Sequence, residues 1–204
     1  MTDREAVREA LTGPIASIRT PFTHGGDIDL DGLRRYAEFV IDAGSRTLLL
    51  TYGDSLYSTL TDDEVLDVTR RLVEFAAGRA FVVAADRQWW TGRTVEFARN
   101  ARDVGADVLM VLPPDWAASC TPGSMVEHYA AVAREMPVML VTNIFIRRGA
   151  DFGLEVVRRA LDVPGIVAVK DDFGGAFARR LCLLAKERWA VFSGGQKQNH
   201  LNMY

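Results

Sequence analysis

Seven short runs of apolar, mostly β-branched residues recur along this chain, and a stretch with helical periodicity separates each from the next. The runs are IASIRTPF (15–22), TLLLTYG (47–53), AFVVAAD (80–86), VLMVLPP (108–114), VMLVTNI (138–144), IVAVKDD (166–172) and AVFSGG (190–195). Most are apolar throughout rather than alternating, which is the pattern of parallel strands covered on both faces. Regular strand–helix alternation leaves two architectures, an open doubly wound sheet or a closed barrel.

The helices carry readable ends. Thr61 and Glu64 predict a capping box ahead of Val65, Leu66, Leu72 and Val73, and Gly78 closes that helix. Thr121-Pro122 reads as an N-cap followed by proline at the first helical position, leading into Met125, Val126, Tyr129 and Val132. Asp29 caps a helix that carries Leu33, Tyr36, Ala37 and Val40 and stops at Gly44. No linker or low-complexity tract interrupts the pattern, so residues 1–204 read as one α/β domain.

The choice between sheet and barrel turns on where the polar residues fall. A dinucleotide-binding sheet carries G-x-G-x-x-G after an early strand, and TPFTHGGDID does not. Thr20, Thr51-Tyr52, Asp86-Arg87, Thr142-Asn143, Lys170 and Ser193 all sit at or just after strand C-terminal ends, the catalytic face of a barrel. The expected fold is therefore a (β/α)8 TIM barrel. Only seven strands are countable, and QKQNHLNMY after the last is too short for a further strand–helix unit. The chain reads as clipped at its C-terminus relative to a complete barrel, whose usual length is ~250 residues.

Composition excludes several classes. Apolar residues make up 49% and charged residues 25%, with a net charge of −3, which offers no footprint for nucleic acid or an anionic membrane. MTDREAVREA is too charged for a signal peptide and no apolar run reaches ~18 residues, so a cytoplasmic location is expected. Cys120 and Cys182 lack metal-ligand spacing, and His24, His128 and His200 lie far apart and read as surface residues; no metal site is expected. Asp86-Arg87 reads as a local ion pair. Trp89 and Trp90 are adjacent and cannot both face one core, so at least one lines a pocket or an interface.

One residue breaks the apolar logic. In GIVAVKDD, Lys170 ends a run of small and β-branched residues. Such a lysine either snorkels or pairs with Asp171 or Asp172, or else desolvation lowers its pKa and leaves a neutral, nucleophilic amine. A neutral amine adds to a ketone to give a Schiff base, an electron sink for cleavage of an adjacent bond.

GPIASIRTPFTHGGDIDLDGLRRYAEFVIDAG, STLTDDE, VPGIVAVKDDFGG and AVFSGG occur here in that order. Together they resemble the dihydrodipicolinate synthase / N-acetylneuraminate lyase family: its first strand ending T-P-F, its S-x-T-L-x-x-x-E helix start, its G-I-x-G-I-K-x-x-x-G lysine segment and its seventh strand ending S-G. The resemblance spans about residues 13–198. It implies a (β/α)8 barrel, Schiff-base lyase or aldolase chemistry on pyruvate or another 2-oxo acid, no metal or other cofactor, and a homo-oligomer, tetramer or dimer. It makes Lys170 the Schiff-base lysine. It aligns LTYGDS with the family's G-T-T-G-E, so that Thr51 and Tyr52 hold the substrate carboxylate, helped by Arg147 in IRRGA, while Gly194 shapes the site.

Two departures stand out. The family's proton-relay tyrosine in L-Y-N-V-P is replaced in LVTNIF by Thr142, a poor acid–base whose expected task is to position water near the imine. The second relay tyrosine is absent from LPPDWAAS. Tyr52 or Tyr57 could substitute, and Asp54 or Asp86 could act as a base. Two rival readings follow: a non-catalytic homologue that binds a 2-oxo acid or serves as an assembly subunit, and a phosphate-binding barrel isomerase with Lys170 as an electrostatic clamp and Gly194-Gly195 at the phosphate.

Overall fold

The computed structural model describes residues 4–114 and 116–194. Seven strands, β1 (Ile15–Ser17), β2 (Thr47–Leu49), β3 (Phe81–Ala85), β4 (Val108–Val111), β5 (Val138–Val141), β6 (Ile166–Asp171) and β7 (Ala190–Ser193), form one sheet in chain order. Every pair is parallel. Helices occupy the crossovers: α1 (Arg4–Ala10) precedes β1, and α2 (Leu30–Asp42), α3 (Asp62–Ala76), α4 (Thr91–Asp103), α5 (Pro122–Ala133), α6 (Phe145–Arg148), α7 (Ala150–Ala160) and α8 (Gly175–Ala185) follow. The result is an α/β half-barrel in which, among the described residues, β1 and β7 are the two edges.

Burial follows the apolar runs. β2, β4 and β5 are buried along their whole length, whereas the edge strands β1 and β7 are half-buried throughout. The helices bury one face each, for example Val65, Val68 and Leu72 of α3 and Met125, Tyr129 and Val132 of α5. Both capping boxes form, Thr61 with Glu64 and Thr121 with Ser124, and the Asp29 carboxylate accepts from the Gly32 amide at 2.8 Å. Each such cap contributes ~1 kcal/mol.

The strands end earlier than the apolar runs. Polar residues at the tips leave the ladder for bonds that shape loops: Thr20 Oγ1 donates to the Ser55 carbonyl at 2.7 Å, and Ser55 Oγ donates to the Ile18 carbonyl at 2.5 Å. The N-terminal segment, read only as too charged for a leader, forms α1, with Val7 buried and Arg8 donating to the carbonyls of Lys186 (2.8 Å) and Glu187 (3.2 Å). No helix among the described residues is long and apolar enough to cross a membrane.

Three readings need correction. His128 is not a surface residue: it is buried on α5, its Nδ1 lies 3.0 Å from Thr91 Oγ1, and burial pushes its pKa down to about 4. Asp86 and Arg87 do not pair, because the strand tip turns them apart. Asp86 is buried and accepts from the Leu112 amide at 2.8 Å, while Arg87 reaches Asp62 at 2.9 Å. Tyr57, a candidate relay, is fully buried, and burial raises its phenol's pKa well above the ordinary value. Of the two tryptophans, Trp89 packs on Phe97 and Trp90 is 68% exposed. His200 and Gly195 lie outside the described residues.

Candidate active site

Side chains alternate along extended backbone, so Lys170 in β6 and Asp172 just past its end share one side while Asp171 takes the other. That periodicity decides the choice the sequence left open. Lys170 Nζ donates to Asp172 Oδ1 at 2.5 Å, with side-chain exposures of 20% and 26%. Asp171 faces away and is fully buried. Its carboxylate accepts from Thr142 Oγ1 (2.7 Å) and from the amides of Phe173 (3.1 Å) and Gly174 (2.9 Å). Lys170 is therefore not a lone amine in a dry pocket, as the apolar flank suggested, but half of a partly exposed ion pair. Such pairs contribute only ~0–1 kcal/mol, so stability does not account for its placement.

The pair opens into a cavity of about 280 Å³ whose polar lining is Thr51, Tyr52, Asp54, Asn143, Lys170 and Asp172. Met110, Leu112 and Val141 supply the apolar lining. The tips of β2, β4, β5 and β6 thus converge on one amine. A second hollow of about 900 Å³, between β1 and β7, shares Lys170 and Asp54 with the first.

The β2 loop is rigid by construction. Thr51 is buried, its amide donates to Ser55 Oγ at 2.9 Å and its Oγ1 accepts from the Asp54 amide at 2.9 Å. Asp54 in turn accepts from Ser17 Oγ at 2.8 Å, tying the loop to β1. Tyr52 projects 40% exposed beside this turn. Thr51 and Tyr52 are therefore brought to the cavity, as their strand-end position predicts.

Two expected site residues are not. Thr142 is fully buried and donates its hydroxyl hydrogen bond to Asp171 while accepting from the Asp172 amide at 2.9 Å; it lines neither hollow. With its proton committed it holds β6 in place rather than water at an imine. Arg147 stands exposed on α6 and lines neither hollow, because the four-residue helix turns it outward. Its neighbour Arg148 is committed to the Cys120 carbonyl at 2.7 Å and stacks over Phe152. Asp86, the other candidate base, also lies outside the lining of the cavity.

Gly194 lies against the ion pair. A Cβ there would stand 1.9 Å from Asp172 Oδ1 and 2.9 Å from Lys170 Nζ. Gly194→Ala is expected to push the Asp172 carboxylate off the amine. Those two atoms end partly exposed side chains that can move, while the third neighbour, the Asp171 carbonyl oxygen at 3.0 Å, is backbone and has to give by a few tenths of an ångström, so stability should fall by ~1 kcal/mol. Urea unfolding and a crystal structure of the variant check the two halves of that statement. A large loss of stability with the pair intact would contradict it.

A sequence profile of the dihydrodipicolinate synthetase family matches residues 10–204. The chain belongs to that family. Among relatives, it is 34% identical over 191 residues to a 4-hydroxy-tetrahydrodipicolinate synthase of Methylococcus capsulatus, covering 90% of this chain and 64% of that protein. It is 33% identical over 188 residues to a probable 5-dehydro-4-deoxyglucarate dehydratase of Streptomyces avermitilis, covering 92% of this chain and 54% of that one. Among solved structures, the dihydrodipicolinate synthase of Acinetobacter baumannii complexed with pyruvate superposes with a TM-score of 0.78 at 27% identity, over 90% of this chain and 64% of that chain. The chain thus spans less than two thirds of the length of these relatives. Its seven-stranded half-barrel superposes on part of a longer dihydrodipicolinate synthase chain, short of the eight strands expected of a complete barrel.

Asp172 is the site residue that sequence reasoning left unassigned. The signal was present, since residues two apart on extended backbone share a face. Ser55, which fixes both Thr51 and the end of β1, carried no recognisable signal.

Proposed function

We propose that this chain is a Schiff-base-forming lyase or aldolase acting on pyruvate or another 2-oxo acid, with Lys170 as the attacking amine. The observation that carries the reading is the single lysine at the tip of β6, facing a cavity lined by the tips of β2, β4 and β5. Pyruvate is small enough for a cavity of about 280 Å³. Its carboxylate fits the β2 turn, where Thr51 and Tyr52 line the wall and, among the described residues, the Tyr52 and Gly53 amides have no acceptor. Arg147 has no part in this arrangement. Both synthase and dehydratase relatives match the chain, so a dehydratase on a sugar-derived acid fits as well as an aldolase. With this reading go a cytoplasmic location and a homo-oligomer, dimer or tetramer.

Borohydride reduction in the presence of pyruvate tests it. The expected result is a covalent adduct that maps to Lys170 by mass spectrometry. Pyruvate binding without any adduct would favour the passive homologue. That reading draws support from Thr142, whose hydroxyl is spent on Asp171. Protection of Lys170 by inorganic phosphate would favour the isomerase.

A further inference from the structure

We propose that Asp172 is the proton-transfer residue of this site, working on the Lys170 nitrogen and on the carbon next to the imine. The inference rests on Lys170 forming an imine with a 2-oxo acid. Geometry singles out Asp172. Its Oδ1 is 2.5 Å from Nζ and both residues line the same cavity. Its backbone is anchored, because its amide donates to Thr142 Oγ1 at 2.9 Å and Thr142 is held by Asp171. Its carboxylate, by contrast, has no hydrogen-bond partner among the described residues except Nζ. Gly194 leaves the space it occupies, since a Cβ there would stand 1.9 Å from Oδ1.

Of the other candidates, Tyr52 lines the same cavity but, among the described residues, makes no hydrogen bond to Lys170, and the rest are paired or placed elsewhere. Thr142 donates its hydroxyl hydrogen bond to Asp171, Tyr57 is buried away from the cavity, and Asp86 holds the Leu112 amide. Asp54 faces the cavity, yet its Oδ2 is bonded to Ser17 Oγ at 2.8 Å.

The steps balance with one carboxylate. Asp172 takes a proton from the ammonium, and the neutral amine adds its lone pair to C2 of the 2-oxo acid, leaving an alkoxide and a protonated nitrogen. Asp172 returns its proton to the alkoxide and takes one from the nitrogen. It then gives that proton to the hydroxyl, which leaves as water with the C–O electron pair while the nitrogen lone pair forms the iminium. The carboxylate, now free, removes a proton from C3, two bonds from the nitrogen, and the C–H electrons become the enamine double bond. No co-reactant is consumed.

Two readouts on the 204-residue chain separate the steps: exchange of the pyruvate methyl protons in D2O, followed by NMR, and borohydride trapping on Lys170. For Asp172→Asn, methyl exchange is expected to fall by on the order of 10²-fold or more, the usual worth of a positioned acid–base. The adduct should still accumulate on prolonged exposure, because nitrogen protons can also pass through water. Asp172→Glu should restore part of the exchange. Wild-type exchange rates in Asp172→Asn overturn the proposal while leaving the imine intact, and so does a trapped wild type that exchanges no methyl protons. Failure to trap the wild type overturns the imine reading, and this proposal with it.

Discussion

Lys170→Arg is expected to abolish the proposed imine chemistry while preserving the ion pair. Arginine keeps a positive charge within reach of Asp172, but its guanidinium stays protonated and cannot add to a carbonyl. Borohydride trapping should disappear and methyl exchange of pyruvate should fall by on the order of 10⁶-fold, the scale on which losing a covalent nucleophile is felt. The substitution is more informative than alanine because it separates charge from nucleophilicity. A clamp for phosphate would tolerate or even prefer arginine, which grips phosphate oxygens in bidentate fashion. An arginine variant that exchanges pyruvate protons within about tenfold of wild type would therefore remove Lys170 from the chemistry.

Asp86→Asn changes the pH dependence of folding. Asp86 is fully buried at the tip of β3, and burial raises its pKa to about 7, against the pull of the Leu112 and Gln88 amides and the Thr94 hydroxyl. The unfolded value is ~3.9. Between these values the folded chain holds a proton that the unfolded chain has released. Stability is therefore full below pH ~4, falls as pH rises through the window and levels off above the folded pKa. At about 1.4 kcal/mol per unit, the loss across the window is on the order of 4 kcal/mol.

Asparagine has the same shape, still accepts from the Leu112 amide and can donate to Thr94 Oγ1, but it never ionises. Urea unfolding at pH 4 should give stabilities within ~0.5 kcal/mol of each other, whereas at pH 8 the variant should be more stable by on the order of 4 kcal/mol. His128 titrates at the low end of this range, but it does so in both proteins and cancels from the difference. A gap that fails to widen with pH would show that Asp86 is ionised in the folded chain.

The fold was legible because it rests on repetition. Each of the seven strands was marked by an apolar run, and the caps at Asp29, Thr61 and Thr121 formed where local chemistry called for them. Strand ends were not legible, since nothing local tells Thr20 that its partner is the carbonyl of Ser55, thirty-five residues away. The site divided the same way. Lys170, Thr51 and Tyr52 reached the cavity because strand-end position alone carries them there. Arg147 and Thr142 did not, because α6 turned one into solvent and Asp171 claimed the hydroxyl of the other.

By itself, then, the sequence determined the parallel strand–helix order, the helix ends and the presence of one lysine at a strand tip. Those features depend on residues within a few positions of one another, through side-chain periodicity and capping. Only the tertiary structure decided which carboxylate meets that lysine, that Asp86 is buried, and that His128 is a core residue. These follow from contacts between segments far apart in the chain, which set the burial and hydrogen-bond partners of each polar group.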